Sequence, residues 1–304
     1  MRINWNGVYP AVTTKFTPND TLDLPSFGAN LDAQVQAGVS GIIIGGSLGE
    51  ASTLAIEEKE TLLKYAAERT GLPTLMNIAE GTTKEAIRQA TLASKWGARG
   101  LMLLPPMRYK SDHRETVTFF KTVAQSTELP ILIYNNPVDY KIEVTLEMFD
   151  ELLELPNIEA VKESTRDITN VTRLINRFGE RLKILTGVDP IATEALIMGA
   201  HGWVAGLVCA FPAETVAIYR LVKAGRTEEA LEIHRWFLPL LELDIHPKLV
   251  QYIKLAEAET GLGTEYVRAP RLTLVGKERD HILGIIREGI ATRPALPEYL
   301  SLAV

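Results

Sequence analysis

Residues 130–164 read PILIYNNPVDYKIEVTLEMFDELLELPNIEAVKES. Two apolar runs, Ile131–Tyr134 and Ile158–Val161, flank Thr145–Leu153, whose apolar residues recur at helical spacing. Each run is too short for a helix. Each is also too uniformly apolar for a strand with one face in water, which is the pattern of a parallel strand buried on both faces. The stretch therefore reads as one strand–helix unit followed by the strand of the next.

The same unit repeats in both directions. Strands are expected at Val8–Val12, Gly41–Ile44, Thr74–Ile78, Gly100–Leu104, Lys183–Leu185 and Gly202–Val204. Helices are expected at Ile56–Thr70, Thr83–Trp96, Asp112–Ser126, Asp167–Phe178, Pro190–Met198 and Pro212–Lys223, several of them stopped by glycines such as Gly97, Gly179, Gly199 and Gly225. Strand starts recur about every 19 to 33 residues, one βα unit each. Eight units in series predict an α/β fold, a (β/α)8 TIM barrel. The 304 residues would allow two domains by length alone. Instead, residues 1–224 read as a catalytic barrel and residues 225–304 as a helical extension with helices at Thr227–Leu241, Pro247–Thr260 and Lys277–Ala291. With no linker before it, the extension is expected to pack on the barrel and to serve packing and assembly.

Composition narrows the function. The net charge is −6, and the chain carries no basic footprint for nucleic acid or an anionic membrane. The longest apolar stretch, Gly202–Ala213, contains Pro212 and falls short of the roughly 20 residues that span a bilayer. Met1–Pro10 lacks a signal-peptide pattern. The single cysteine, Cys209, allows no intrachain disulfide and reads as core. A soluble, cytoplasmic protein is expected. The five histidines are scattered without ligand spacing, so no metal is expected, and no cofactor fingerprint is present.

Barrel chemistry gathers at the C-terminal ends of strands. Lys162 closes the sixth apolar run. It is either a lysine snorkelling to solvent or a desolvated amine able to form a Schiff base with a ketone. Tyr134 closes the fifth run, on the neighbouring strand. It is either a packed core tyrosine or a proton carrier beside that amine. Gly45-Gly46-Ser47-Leu48-Gly49-Glu50 follows the second run. It is either a tight turn or a seat for a small carboxylate built from backbone N–H groups and the Ser47 hydroxyl. Glu50 reads as a brace for its own turn.

Together these residues make the chain similar to the dihydrodipicolinate synthase and N-acetylneuraminate lyase family over essentially its whole length. The resemblance rests on Gly46-Ser47-Leu48-Gly49-Glu50, Tyr134-Asn135-Asn136-Pro137, Val161-Lys162-Glu163-Ser164 and Gly187-Val188-Asp189. Gly199, Gly202, Gly206 and the helical tail also fit. It implies a Schiff-base enzyme for pyruvate or another 2-oxo acid, usually a homotetramer built as a dimer of dimers, with no cofactor. It assigns the Schiff-base lysine to Lys162, the proton-relay tyrosine to Tyr134 and the carboxylate loop to Gly46 and Ser47, with Gly187 and Gly206 among the substrate-binding positions.

Three departures bear on the reaction. Leu48 stands where the family loop usually has a second hydroxyl. Asp139 stands where true dihydrodipicolinate synthases grip a second carboxylate with arginine, and an aspartate there favours a hydroxyl or amine over a distal carboxylate. Arg108, with Tyr109 one residue off, stands nearest the family's interface tyrosine. The expected activity is a lyase or deaminase acting on a 2-oxo acid or cyclic imino acid. It is favoured as a catabolic deaminase or dehydratase of a hydroxylated substrate such as a hydroxyproline-derived pyrroline carboxylate. Alternatives are an aldolase for 2-keto-3-deoxy sugar acids, dihydrodipicolinate synthase itself, and a non-catalytic ligand-binding barrel.

Overall fold

Short runs rich in isoleucine, leucine and valine form eight strands in the computed structural model, which describes residues 3–106 and 109–302. They are β1 (Gly7–Pro10), β2 (Ile42–Ile44), β3 (Thr74–Ile78), β4 (Gly100–Leu103), β5 (Ile131–Asn135), β6 (Ile158–Glu163), β7 (Lys183–Thr186) and β8 (Gly202–Ala205). Neighbours in sequence pair in parallel from β2 to β8, and β8 pairs in parallel with β1. The ring closes between β1 and β2 through a single parallel bridge, Ala11 to Ile43. This is the expected TIM barrel. The expected strands are all present within one or two residues of their predicted ends, and β6 runs on through Lys162.

Successive strand side chains point to opposite faces, and the core divides accordingly. Tyr9, Ile43, Leu75, Met102, Leu132, Tyr134, Ala160, Leu185 and Val204 pack together inside the barrel. Their strand neighbours, such as Ile42, Ile44, Ile131, Ile133 and Val161, pack outward in a second cluster under the helices. Lys162 stands two residues beyond Ala160, and Gly187 and Gly206 stand two beyond Leu185 and Val204. The alternation that buries the strands therefore delivers these positions to the barrel mouth.

The outer ring contains α1 (Leu24–Ala37), α2 (Ile56–Thr70), α3 (Thr83–Lys95), α4 (His113–Gln125), a single turn α5 (Pro137–Tyr140), α6 (Leu146–Leu152), α7 (Thr169–Phe178), α8 (Ala192–Ile197) and α9 (Pro212–Lys223). Helix α1 escapes the periodicity reading because its buried face is partly amide. Asn30 Nδ2 donates to the carbonyls of Cys209 (2.8 Å) and Leu262 (2.9 Å), and Gln34 Nε2 donates to Val208 O (3.0 Å).

Three further helices follow: α10 (Thr227–Leu241), α11 (Leu249–Thr260) and α12 (Gly276–Ala291). Helix α10 packs on α8 and α9, and α12 packs on α10 and α11. Helix α11 is joined to the barrel mouth by two fully buried ion pairs, Lys15 to Glu257 (2.7 Å) and Lys254 to Glu50 (2.5 Å). Glu257 also accepts from Thr13 Oγ1 at 2.7 and 2.9 Å. The second carboxylate oxygen of Glu50 accepts from the Arg268 N–H at 3.0 Å. Glu50 thus holds the extension rather than bracing its own turn, because the lysine that meets it lies two hundred residues away in sequence. No helix of the described residues is long and apolar enough to cross a membrane.

Removing one partner of a buried ion pair leaves the other charge uncompensated. Glu257→Gln is expected to lower stability by about 3–5 kcal/mol, read from the midpoint of urea unfolding. An unchanged midpoint would show that Lys15 does not depend on Glu257.

Candidate active site

The barrel register sets Tyr134 of β5 directly opposite Lys162 of β6. Lys162 Nζ lies 4.0 Å from the centre of the Tyr134 ring. Both side chains are buried, with Lys162 only 7% exposed. Burial pulls the Lys162 amine below the ordinary lysine range. The acidic side chains of Asp244, Tyr140, Asp189 and Asp139 pull the other way. Among the described residues no carboxylate pairs with Lys162 at salt-bridge distance. Burial pushes the phenols of Tyr134 and Tyr140 upward, so both hold their protons.

The loop after β5 is built on Asn136. Its Oδ1 accepts from the Asp139 N–H (3.1 Å), which caps α5 at the turn begun by Pro137. Its Nδ2 donates to Tyr134 Oη (3.1 Å) and to Asp139 Oδ2 (2.8 Å). One amide thereby fixes the tyrosine hydroxyl relative to the aspartate. The turn also brings in Tyr140, whose ring stands edge-on to Tyr134 with centroids 5.5 Å apart. Tyr140 Oη and Ser47 Oγ share a hydrogen bond of 2.5 Å. Ser47, Tyr140, Tyr134 and Lys162 thus stand in sequence across the mouth, joined by one hydrogen bond, one edge-on ring contact and the amine over the Tyr134 ring.

In the β2 loop the conformational demand falls on Gly45, at φ +69°, whose carbonyl accepts from Asn77 Nδ2 at 2.8 Å. Gly46 has room for a Cβ, so its backbone rather than its lack of side chain faces the cavity. The N–H groups of Ser47 and Leu48 have no hydrogen-bond partner among the described residues. The Leu48 side chain is buried in the outer core. Any carboxylate on this loop would therefore meet N–H groups and the Ser47 hydroxyl.

Gly187 and Gly206 serve as clearances. A Cβ on Gly187 would sit 2.4 Å from Lys162 Cε and 2.3 Å from Ser164 Oγ. A Cβ on Gly206 would sit 2.1 Å from Asp244 Oδ1. Asp189, which follows this β7 end, is fully buried and accepts from Trp203 Nε1 (2.8 Å), Gly206 N (3.1 Å) and Leu207 N (2.8 Å). It locks the β7 and β8 ends together.

Ser47, Tyr134, Asp139, Lys162, Gly187 and Gly206 line one cavity of about 80 Å³, several times the ~10–15 Å³ one water needs. The cavity is not lined by the barrel alone, since Asp244, Ile245 and Leu249 reach it from the extension. Ser164 and Arg166, beyond β6, also line it. Arg166 adopts φ +64° and has no ion pair among the described residues. Arg108 lies outside the described residues, and Tyr109 beside it is exposed. Sequence reasoning missed Tyr140, Asp244 and Arg166. The Asn136-Pro137 cap was a usable signal for Tyr140. Asp244 had no local signal, because its position depends on how the extension packs.

A model of the dihydrodipicolinate synthetase family matches residues 4–288. A DapA-like lyase of Rhizobium meliloti is 30% identical over 294 residues, covering 93% of this chain and 96% of the relative. The 4-hydroxy-tetrahydrodipicolinate synthase of Exiguobacterium sibiricum is 31% identical over 276 residues, covering 89% and 92%. The solved structure of the 4-hydroxy-tetrahydrodipicolinate synthase from Methylacidiphilum fumariolicum SolV superposes with a TM-score of 0.87 at 28% identity, over 94% of this chain and 97% of that one.

The Gly187 clearance can be tested directly. Gly187→Ala should displace the Lys162 side chain and slow borohydride-trapped adduct formation with pyruvate by about a hundredfold, as expected for a misplacement near 1 Å. Circular dichroism should stay unchanged. Wild-type trapping in the variant would show that the lysine tolerates the added methyl group.

Proposed function

Because the chain belongs to the dihydrodipicolinate synthetase family, whose members are Schiff-base lyases, we propose that its cavity forms an imine between Lys162 and a 2-oxo acid or cyclic imino acid. The observation that carries this reading is the pairing of Tyr134 with a buried, unpaired Lys162 across β5 and β6. The substrate carboxylate would rest on the Ser47 and Leu48 N–H groups and the Ser47 hydroxyl, which sets the keto carbon toward the amine. Lys162, shifted by burial toward its neutral form, attacks that carbon. The resulting carbinolamine loses hydroxide as water with a proton from Tyr134. The protonated imine then draws electrons from the neighbouring carbon, and the Tyr134 phenolate takes the acidified proton to give the enamine. Tyr140 and Ser47 support the relay through their shared hydrogen bond.

Asp139 decides the substrate preference in this reading. One of its oxygens is held by Asn136, and the other is left for a substrate hydroxyl or amine. A hydroxylated substrate undergoing loss of water or ammonia fits best, and a hydroxyproline-derived pyrroline carboxylate is one member of that class. An aldolase for 2-keto-3-deoxy sugar acids would use the same hydroxyl contact. A synthase joining pyruvate to aspartate semialdehyde is the reading suggested by the names of several relatives, and it is disfavoured by Asp139. Homotetramer assembly belongs to the same proposal. Leu272 and Val275, 77% and 75% exposed, are apolar surface that a partner subunit would cover.

Borohydride reduction with pyruvate should leave an adduct on Lys162 that mass spectrometry locates, and Lys162→Ala should abolish both adduct and turnover. An adduct elsewhere, or turnover in the variant, would sink the imine mechanism. The neutral amine is the reactive form, and its share grows with pH. Trapping should therefore rise with a midpoint below that of an ordinary lysine, since burial lowers Lys162.

Asp139→Arg should cost about tenfold or more in kcat/KM for hydroxylated substrates, the scale of one hydrogen bond to a charged group. Efficient wild-type condensation of pyruvate with aspartate semialdehyde would overturn the role given to Asp139.

A further inference from the structure

Four consecutive strand ends surround the reacting position in order. Tyr134 stands on β5, Lys162 on β6, Gly187 on β7 and Gly206 on β8. Tyr134 lies on one side of the amine. On the other side, where β7 and β8 offer no side chain, the space beside Gly206 is taken by the carboxyl of Asp244. Asp244 comes from the short turn Glu242–Ile245 that joins α10 to α11. It lines the same cavity as Lys162 and makes no ion pair at salt-bridge distance among the described residues. The imine chemistry proposed above uses Tyr134 twice and leaves Asp244 without a task.

We infer that Asp244 is a further catalytic residue, the general acid that protonates a hydroxyl or amine leaving from the fourth carbon of the substrate. This rests on the imine reading and deepens it, by committing the enzyme to elimination. In the enamine, the nitrogen lone pair pushes through C2 and C3, and the C4–O or C4–N bond breaks with its electron pair on the departing atom. That atom takes the Asp244 proton and leaves as water or ammonia. A conjugated imine remains on Lys162, and Asp244 is left as carboxylate. Hydrolysis of that imine by water restores the Lys162 amine and releases one proton, which returns to Asp244.

The surroundings suit an acid that must start protonated. Burial and the nearby Asp189 carboxylate raise the Asp244 carboxyl well above the usual range, and Asp139 acts in the same direction. Lys162 and the Asp189 backbone N–H act against them. Tyr134 and Tyr140 face it as phenols that keep their protons, and Arg166 is the permanent cation of the same lining. Tyr134 serves the C2 side of the amine and Asp244 the other, so the two proton transfers do not compete for one group.

The test compares leaving groups. A hydroxyl needs the acid, whereas fluoride leaves without a proton. Asp244→Asn should still form the borohydride-trapped pyruvate adduct on Lys162, because that step runs through Tyr134. Its kcat on a 4-hydroxy-2-oxo acid should fall by about 10²–10⁴-fold, while the 4-fluoro analogue should turn over within about threefold of wild type. The alkaline fall of kcat with the hydroxy acid, where the acid loses its proton, should vanish in the variant. Equal loss with both substrates, or loss with neither, overturns the assignment. Should asparagine unsettle the turn, Asp244→Ala also clears Gly206 and is read in the same assays. Failure of wild-type protein to form the Lys162 adduct would instead refute the imine reading itself.

Discussion

An amine buried in the barrel with no carboxylate at ion-pair distance among the described residues is the constraint on which the rest of this site depends. An ammonium in that position would lose its hydration and gain no partner at ion-pair distance, so the chemistry of the group shifts toward the free amine. The neighbours are compatible with this only because they are phenols, amides and glycines. Tyr134 offers a ring face and a hydroxyl already oriented by Asn136. Gly187 offers the space that a side chain would have taken from the lysine. Asp189 is fully bonded, and among the described residues neither Asp139 nor Asp244 lies at salt-bridge distance from the amine.

The helical extension belongs to the site as well as to the scaffold. Lys15–Glu257 and Lys254–Glu50 join it to the loops after β1 and β2, and each pair is buried with further hydrogen bonds on its carboxylate. Such pairs contribute less as net stabilisation than as specification, since a misplaced extension would leave charges buried alone. The turn at Glu242–Ile245 inherits that fixed position. The cavity is accordingly a joint product of the barrel and the tail.

The barrel was legible in the sequence because strands buried on both faces leave uniform apolar runs. Lys162, Tyr134 and the β2 loop were legible because they sit where those runs end. Helix α1 was not, since Asn30 and Gln34 replace the apolar stripe with amides that satisfy carbonyls from remote loops. Glu50 was misread as local for the same reason. Its partner Lys254 is chosen by tertiary packing, which no spacing rule records. Asp139 could be read as an unusual residue, but its tie to Asn136, which leaves a single oxygen for a ligand, emerges only from the folded loop.

The closure of the ring has a consequence for how the chain reaches this state. β1 pairs along its length with β8, through residues 202–205, but meets β2 at one bridge. The first strand to be synthesised therefore has no full ladder partner until the last strand of the barrel exists. Its pairing spans nearly two hundred residues, a loop closure of high entropic cost that places it late in folding. The extension then secures the same edge, because Lys15 and Glu50 lie just past β1 and β2. The seam between these strands, held by one backbone bridge, is therefore closed as much by the buried side-chain pairs to the extension as by the sheet itself.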